Sequence, residues 1–346
     1  MSTTSLKIGL IGCGRIAQTA HLPAAEKAER VELAAVCDPS QMLAEAVGRR
    51  HGVPHFTDLS AMLQTDIDAV VIAVPDRLHV AMSVAALRAG KHVLVEKPIA
   101  VSLSEAEILR ELTGRGLKLQ VASMKRYDPG VQYAKAALSD GRIGKVLSAT
   151  CWYRVMSALR RPIEATFFPA MIVDQAVREH ENALKAANRA GHLLATHGIH
   201  TFDLMRHLLG DLRVVSAVTG SDGDDYSWHG LATLPEGGIA SFEITASVHA
   251  EWTEGFEIYG SRGHVSVQIP FPFSRQASIV KVFVEGDAAY SVPVFGDTDP
   301  YKRQLEAFAT AVLDRGSVAP DTEDGIAALA IVEAVRNAAS VGAVAR

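Results

Sequence analysis

Five short, almost wholly apolar runs in the first third of the chain constrain its fold more than any other feature. They are Leu6–Ile11, Val31–Cys37, Ala69–Val74, His92–Glu96 and Leu117–Ala122. A strand with one wet face alternates apolar and polar residues, whereas a strand covered on both faces reads as a continuous hydrophobic run. Between these runs lie alanine-rich helical patterns such as Gln41–His51 and His79–Ala89. That βαβ alternation predicts a doubly wound parallel sheet. At 346 residues the chain is too long for one ordinary core, so a second domain is expected.

After Arg126 the texture changes. Lys145–Val155 alternates, with Val146, Ser148, Thr150, Trp152 and Arg154 on one face. From Arg213 to about Val294 further strand-like runs are separated by glycine turns, with hairpin candidates in "TLPEGGIASFEITAS" and "FEIYGSRGHVSVQIP". These predict an antiparallel sheet open on one face. Helical stretches are expected at Phe168–Arg189, Leu194–Leu209, Pro300–Leu313 and Thr322–Ala339. The expected division is an α/β first domain over residues 1–123 and an α+β second domain over 124–346. The C-terminal helices are expected to pack back near the first domain.

Composition narrows the function classes. A formal charge of −5 and a pI near 6.2 give no basic footprint for nucleic acid. No run of 18 or more apolar residues marks a membrane span, and "MSTTSLKIGL" lacks the pattern of a signal peptide. The three cysteines, Cys13, Cys37 and Cys151, have no metal-like spacing, and no metal is expected. Thiols in strand-like stretches behave as small buried hydrophobes, and a reducing cytoplasm is the simplest setting.

The first apolar run leads directly into "GCGRIAQTAHLP". In a nucleotide fold Gly12 makes the tight turn, Gly14 lets the backbone approach a pyrophosphate, and Ala17 lets the helix pack on the strand. The pyrophosphate then lies against the helix beginning near Arg15 and Ile16. The second requirement is an acidic residue about 20 positions on, after the next strand. Asp38 stands there, directly after Val31–Cys37. A carboxylate at that point accepts from the adenosine ribose hydroxyls and repels a 2′-phosphate. Pro39, Ser40 and Gln41 follow, with no Arg or Lys to receive such a phosphate, so NAD is favoured over NADP.

With "AAVCDPS" and "VIAVPDRLHVAMSVAALRAGKHVLVEKPIA" added to that fingerprint, the chain resembles the glucose–fructose oxidoreductase / inositol dehydrogenase / rhizopine-catabolism (Gfo/Idh/MocA) family. The likeness continues through "MKRYDPG", "GIHTFDLMRHLLGD" and "DPYKRQLEAFATAV", and so spans nearly the whole chain. It implies a Rossmann domain followed by an α/β domain on a large, mostly antiparallel sheet. The open face of that sheet is expected to form the interface of a homodimer or homotetramer. It also implies that Lys97 is the catalytic lysine, that Glu96 holds nicotinamide-side groups, and that Val74 and Pro75 lie against the cofactor, with His79 nearby. The residues are compatible with those roles. Lys97 ends a parallel strand, where ligands bind in open α/β sheets, and Pro98 restricts it to an extended conformation. An ammonium there can hydrogen-bond a substrate hydroxyl and stabilise a developing alkoxide. Packing alone also accounts for His79.

Oxidising an alcohol needs a base for the hydroxyl proton, and histidine suits the task. In "GHLLATHGIHTFDL" a helix would place Thr196, His200 and Asp203 on one face, with His197 rotated away. The resembling family carries Asp-x-x-x-His-x-x-Asp here, which makes His200 the proton acceptor. Thr196 replaces the first aspartate; it can bond a hydroxyl but cannot stabilise an imidazolium as a carboxylate would. Lys125, Tyr153, Arg154, His197, Asp203, Trp252 and Tyr301 are further substrate-pocket candidates, and Arg126 and Asp128 are expected to fix the domain junction through an ion pair. The segment Phe167–Arg189 is read as a pocket lid or an oligomer arm. The expected activity is NAD-dependent oxidation of a secondary hydroxyl on a sugar, glycoside or inositol-type polyol, or the reverse reduction. Two alternatives stay open: glycoside cleavage through transient oxidation and elimination, and a non-catalytic dinucleotide-sensing regulator.

Overall fold

A computed structural model describes residues 4–113, 116–156 and 165–341, which divide into two compact units. The first holds a six-stranded, all-parallel sheet. Its strands are β1 (Leu6–Ile11), β2 (Val31–Cys37), β3 (His55–Phe56), β4 (Ala69–Ile72), β5 (His92–Val95) and β6 (Leu119–Val121), in spatial order β3-β2-β1-β4-β5-β6. Strand order reverses between β1 and β4, so a crevice opens at their carboxyl ends, the point where such sheets take ligands. The apolar runs behave as their composition demands: every residue of β4, and Val93–Val95 of β5, is buried. The helix Gln41–His51 starts where the Ser40 hydroxyl accepts from Leu43 N and stops at Gly52, which takes φ +67°.

The second unit is built on an eight-stranded sheet. It comprises β7 (Val146–Met156), β8 (Arg213–Asp222), β9 (Asp225–Thr233), β10 (Ile239–Val248), β11 (Thr253–Gly260), β12 (Gly263–Ile269), β13 (Ile279–Val284) and β14 (Ala289–Ser291). The order is β14-β13-β12-β11-β7-β10-β9-β8, antiparallel except where β7 and β10 run parallel. Both hairpin expectations hold, as β9–β10 and β11–β12. One face of the sheet is covered by the helix Ile199–Leu209, where Phe202 meets Phe242 edge-on at 5.2 Å with both rings fully buried. Truncating either ring to Ala is expected to cost ~3–5 kcal/mol. The other face exposes Val218, Leu231, Ile239, Tyr259, Ile279 and Tyr290.

Two helical expectations need correction. The helix expected from Phe168 begins at Gln175, because Asp174 caps it by accepting from Val177 N; residues 168–174 are not helical. The helix expected over Leu194–Leu209 opens as a π turn, Leu194–Gly198, before the α-helical part. No helix among the described residues is long and apolar enough to cross a membrane.

Candidate active site

The glycine turn after β1 is shaped for close approach. Gly12 sits at φ +91°, and a Cβ there would lie 2.7 Å from the Ala73 carbonyl oxygen, so no larger residue fits without a shift. A Cβ at Gly14 would meet nothing within 4 Å, which leaves the backbone open on that side. Arg15 and Ile16 then head a helical segment, and Ala17 is fully buried beneath it. Asp38 closes the other side of the turn. Its Oδ2 accepts from Cys13 N at 2.8 Å, and its Oδ1 accepts from Ser40 N at 2.9 Å. Burial pushes this carboxyl up, while those two backbone donors pull it down. A fixed carboxylate, whose oxygens each accept more than one hydrogen bond, beside an open glycine backbone fits the ribose and pyrophosphate of a dinucleotide.

At the carboxyl ends of β4 and β5 the chain is tied together by buried polar groups. His79 is fully buried, with Nδ1 2.6 Å from the Pro98 carbonyl oxygen and Nε2 3.0 Å from that of Val74. It thereby ties the Val74–Pro75 turn to the segment following Lys97. Glu96 is buried; its Oε1 lies 2.8 Å from His21 Nε2, and its Oε2 accepts from Lys97 N at 3.2 Å. Burial alone would raise this carboxyl, but the His21 hydrogen bond and charge, with Lys97 and His79 nearby, hold it below the usual range. Lys97 stands partly exposed between buried Glu96 and buried Pro98, across a cis peptide bond. Tyr301, expected with the substrate groups of the second domain, instead belongs to this unit. It is buried against the edge of His21, ring centroids 5.9 Å apart.

The second unit gathers an aromatic and histidine cluster around Tyr153. That ring is 5.7 Å from His200, near parallel at 16°, 5.7 Å from His197 and 5.0 Å from Trp252. The Lys125 ammonium lies 4.3 Å from its centroid. Trp252 Nε1 is buried with no hydrogen-bond partner among the described residues, an orphaned donor within this cluster. Thr196 Oγ1 lies 3.3 Å from His192 Nδ1. The π turn interrupts the 3.6-residue register assumed for Thr196, His200 and Asp203.

Several candidates sit elsewhere than their sequence positions suggest. Lys125 is buried, with Nζ 2.6 Å from both oxygens of Glu254. Burial pushes the Glu254 carboxyl up to about 7 although Lys125 pulls it down. Asp203 is buried and grips Arg126 through contacts of 2.8–3.1 Å. Asp128, expected beside Arg126, caps the helix Pro129–Ser139 by accepting from Val131 N and also accepts from Ser278 N. Arg154 follows Tyr153 in β7 and so faces the opposite side of the sheet, where it pairs with Glu243 at 2.6–2.7 Å. Two buried groups escaped the sequence reading. His21 carried a signal, its place in "TAHLP" about two turns past the glycines. Glu254, the middle of three acids in "EWTEGFE" at a strand start, carried none.

Fold and cradle together define a dinucleotide-binding oxidoreductase of the Rossmann type. Residues 6–123 match the model of the oxidoreductase family with NAD-binding Rossmann fold, and residues 131–266 match the GFO/IDH/MocA C-terminal domain. The chain belongs to the GFO/IDH/MocA oxidoreductase family. It is 28% identical to the inositol 2-dehydrogenase of Rhizobium meliloti (strain 1021), over 95% of this chain and 96% of that one. It is 27% identical to a dTDP-3,4-didehydro-2,6-dideoxy-alpha-D-glucose 3-reductase of Actinomadura kijaniata, over 96% of each. Among solved structures, a 3-ketoreductase from Actinomadura kijaniata in complex with NADP superimposes with a TM-score of 0.76 at 26% identity, covering 97% of this chain and 98% of that one. A levoglucosan dehydrogenase in complex with NADH shares the fold, with a TM-score of 0.80 at 22% identity and 98% of each chain covered.

Proposed function

We propose that this chain is an NAD-dependent dehydrogenase of a secondary hydroxyl on a sugar, glycoside or inositol-type polyol, working in either direction. The observation that carries the reading is the buried Asp38 carboxylate, fixed by Cys13 N and Ser40 N beside an open Gly14. It suits a free ribose diol and disfavours a 2′-phosphate, which supports NAD over NADP.

Gly12, Gly14, Arg15, Ile16 and Asp38 would hold the adenosine and pyrophosphate half, and Val74, Pro75, Glu96 and Lys97 the rest. Bound there, the nicotinamide supplies the hydride acceptor. Lys97 donates a hydrogen bond to the reacting oxygen and stabilises its developing negative charge. His200 accepts the hydroxyl proton. Tyr153 holds the His200 ring by stacking, and the orphaned Trp252 N–H is a donor suited to a substrate hydroxyl. Thr196 and His197 complete the pocket as hydrogen-bonding groups. Three buried, unpaired thiols accord with a reducing cytoplasm. The exposed Val218, Leu231, Ile239, Tyr259, Ile279 and Tyr290 on the open face of the eight-stranded sheet accord with a homodimer or homotetramer.

The test is NADH formation over a panel of inositols, aldoses and glycosides, with wild type, His200→Ala and Lys97→Met compared. Stoichiometric NADH with wild type and a loss of about 10²-fold or more in each variant is expected. Turnover without net NADH would replace the reading with oxidation–elimination of a glycoside. Full activity in His200→Ala would remove the assigned base.

A further inference from the structure

Residues 168–188, which follow β7 in the chain, fold onto the first unit as a strap. Gln18, Ser40 and Arg77, which each grip it, follow β1, β2 and β4 in turn. The Gln18 amide donates to the Ile172 carbonyl oxygen and accepts from Ile172 N, both at 2.8 Å, while also donating to the Cys13 carbonyl. The Ser40 hydroxyl donates to Asp174 Oδ2 at 2.7 Å. Arg77 clasps both oxygens of Glu181 at 2.7 and 2.9 Å. Arg50 adds a bond to the Ala170 carbonyl oxygen at 2.7 Å. Gln18, Ser40 and Arg77 lie just past the carboxyl ends of β1, β2 and β4, the edge of the sheet along which a dinucleotide lies.

Ser40 is therefore held from two sides, by Asp38 through its N–H and by Asp174 through its hydroxyl. A 2′-phosphate on the ribose that Asp38 addresses would need donors or cations in the residues just after β2. Here the Ser40 hydroxyl is engaged by a second carboxylate. We propose that Asp174 is a specificity-determining residue for the cofactor, delivered by the strap to the adenosine end so that a 2′-phosphate meets two anions instead of one. The inference rests on the reading of the first unit as an NAD site. Asp174 also feels Asp38 electrically, since it adds to the burial that pushes the Asp38 carboxyl up.

Asp174→Asn separates charge from structure, because Asn also caps helices well and can keep the Ser40 contact. Calorimetric titration of wild type and variant with NAD and with NADP reads binding without turnover. In the variant, NADP should bind about tenfold more tightly while NAD changes by less than about twofold, the effect of one nearby charge. The preference for NAD should narrow more between low and high salt in wild type than in Asp174→Asn, a difference that a purely structural role of Asp174 would not produce. Asp174→Lys should carry the shift further. NAD binding with an unchanged NADP-to-NAD ratio in both variants overturns the role of Asp174 alone. Failure of wild type to bind either dinucleotide overturns the NAD reading, and this inference with it.

Discussion

Replacing Lys125 with Met tests whether the Tyr153 cluster stands on a buried charge pair. Both side chains are nearly inaccessible, 4% for Lys125 and 2% for Glu254. Removing one partner of such a pair costs about 3–5 kcal/mol, because the other charge is left without compensation. The pH dependence follows from Glu254. Burial, the largest influence, lifts its carboxyl from 4.5 to about 7 against the pull of Lys125. A carboxyl raised on folding lowers stability as pH climbs from the unfolded value to the folded one, after which the loss is complete. In wild type that decline therefore ends near pH 7. In Lys125→Met the pull is gone, the folded pKa rises further, and the decline continues. The deficit of the variant should thus grow by about 1.4 kcal/mol per pH unit between roughly pH 7 and 9. Urea unfolding followed by tryptophan fluorescence reads this unit selectively, because Trp152, Trp228 and Trp252 all lie in it. Lys125→Met with Glu254→Gln should recover most of the loss at high pH. A pH-independent deficit, or a double variant no more stable than the single one, would refute the argument.

Two other outcomes are expected. Thr196→Asp should place a carboxylate near His200 and move the acidic limb of the kcat/KM profile upward by about one pH unit, since an anion favours the imidazolium; an unmoved limb would mean that the two side chains do not interact. Leu231→Glu puts a charge among the exposed apolar side chains of the open sheet face, and light scattering should show a smaller assembly than wild type, whereas an unchanged mass would refute an interface on this face.

The first unit was largely legible because its signals are local. Continuous apolar runs report strands buried on both faces, and the glycine turn with Asp38 needs spacing alone to be recognised. The second unit was legible as a sheet but less so as a site. Tyr153 and Arg154 are neighbours in sequence, and alternation predicts that they part, yet nothing in the sequence says which side will face the histidines. Lys125 and Glu254 are 129 positions apart, and no periodicity links them. The helix Ile199–Leu209 was foreseen, but its π turn was not, because a single wide turn leaves the hydrophobic pattern nearly intact. The sequence reads the strap only as a pocket lid or an oligomer arm; its landing place depends on side-chain pairs such as Ser40–Asp174 that no local rule encodes.

The loss of the aspartate expected at position 196 changes what must hold His200 in place. Adjacent residues of the short turn Met124–Tyr127 supply two buried cations with separate targets. Lys125 reaches Glu254 at the start of β11, and Arg126 reaches Asp203, within the helix that carries His200. One turn thus clamps both the strand beneath the Trp252 side of the cluster and the helix on the histidine side, while Tyr153 fills the space between with a ring against each. Charge pairs in a low-dielectric interior keep their geometry because every alternative leaves an ion unpaired. The His200 ring stacks on Tyr153, while the two ion pairs tie Met124–Tyr127 to β11 and to the helix that carries His200. Orientation survives the substitution at 196, while the direct electrostatic support of an imidazolium does not. In the reaction proposed above, position 196 supplies no carboxylate to the imidazolium, and Lys97 would bear more of the developing charge.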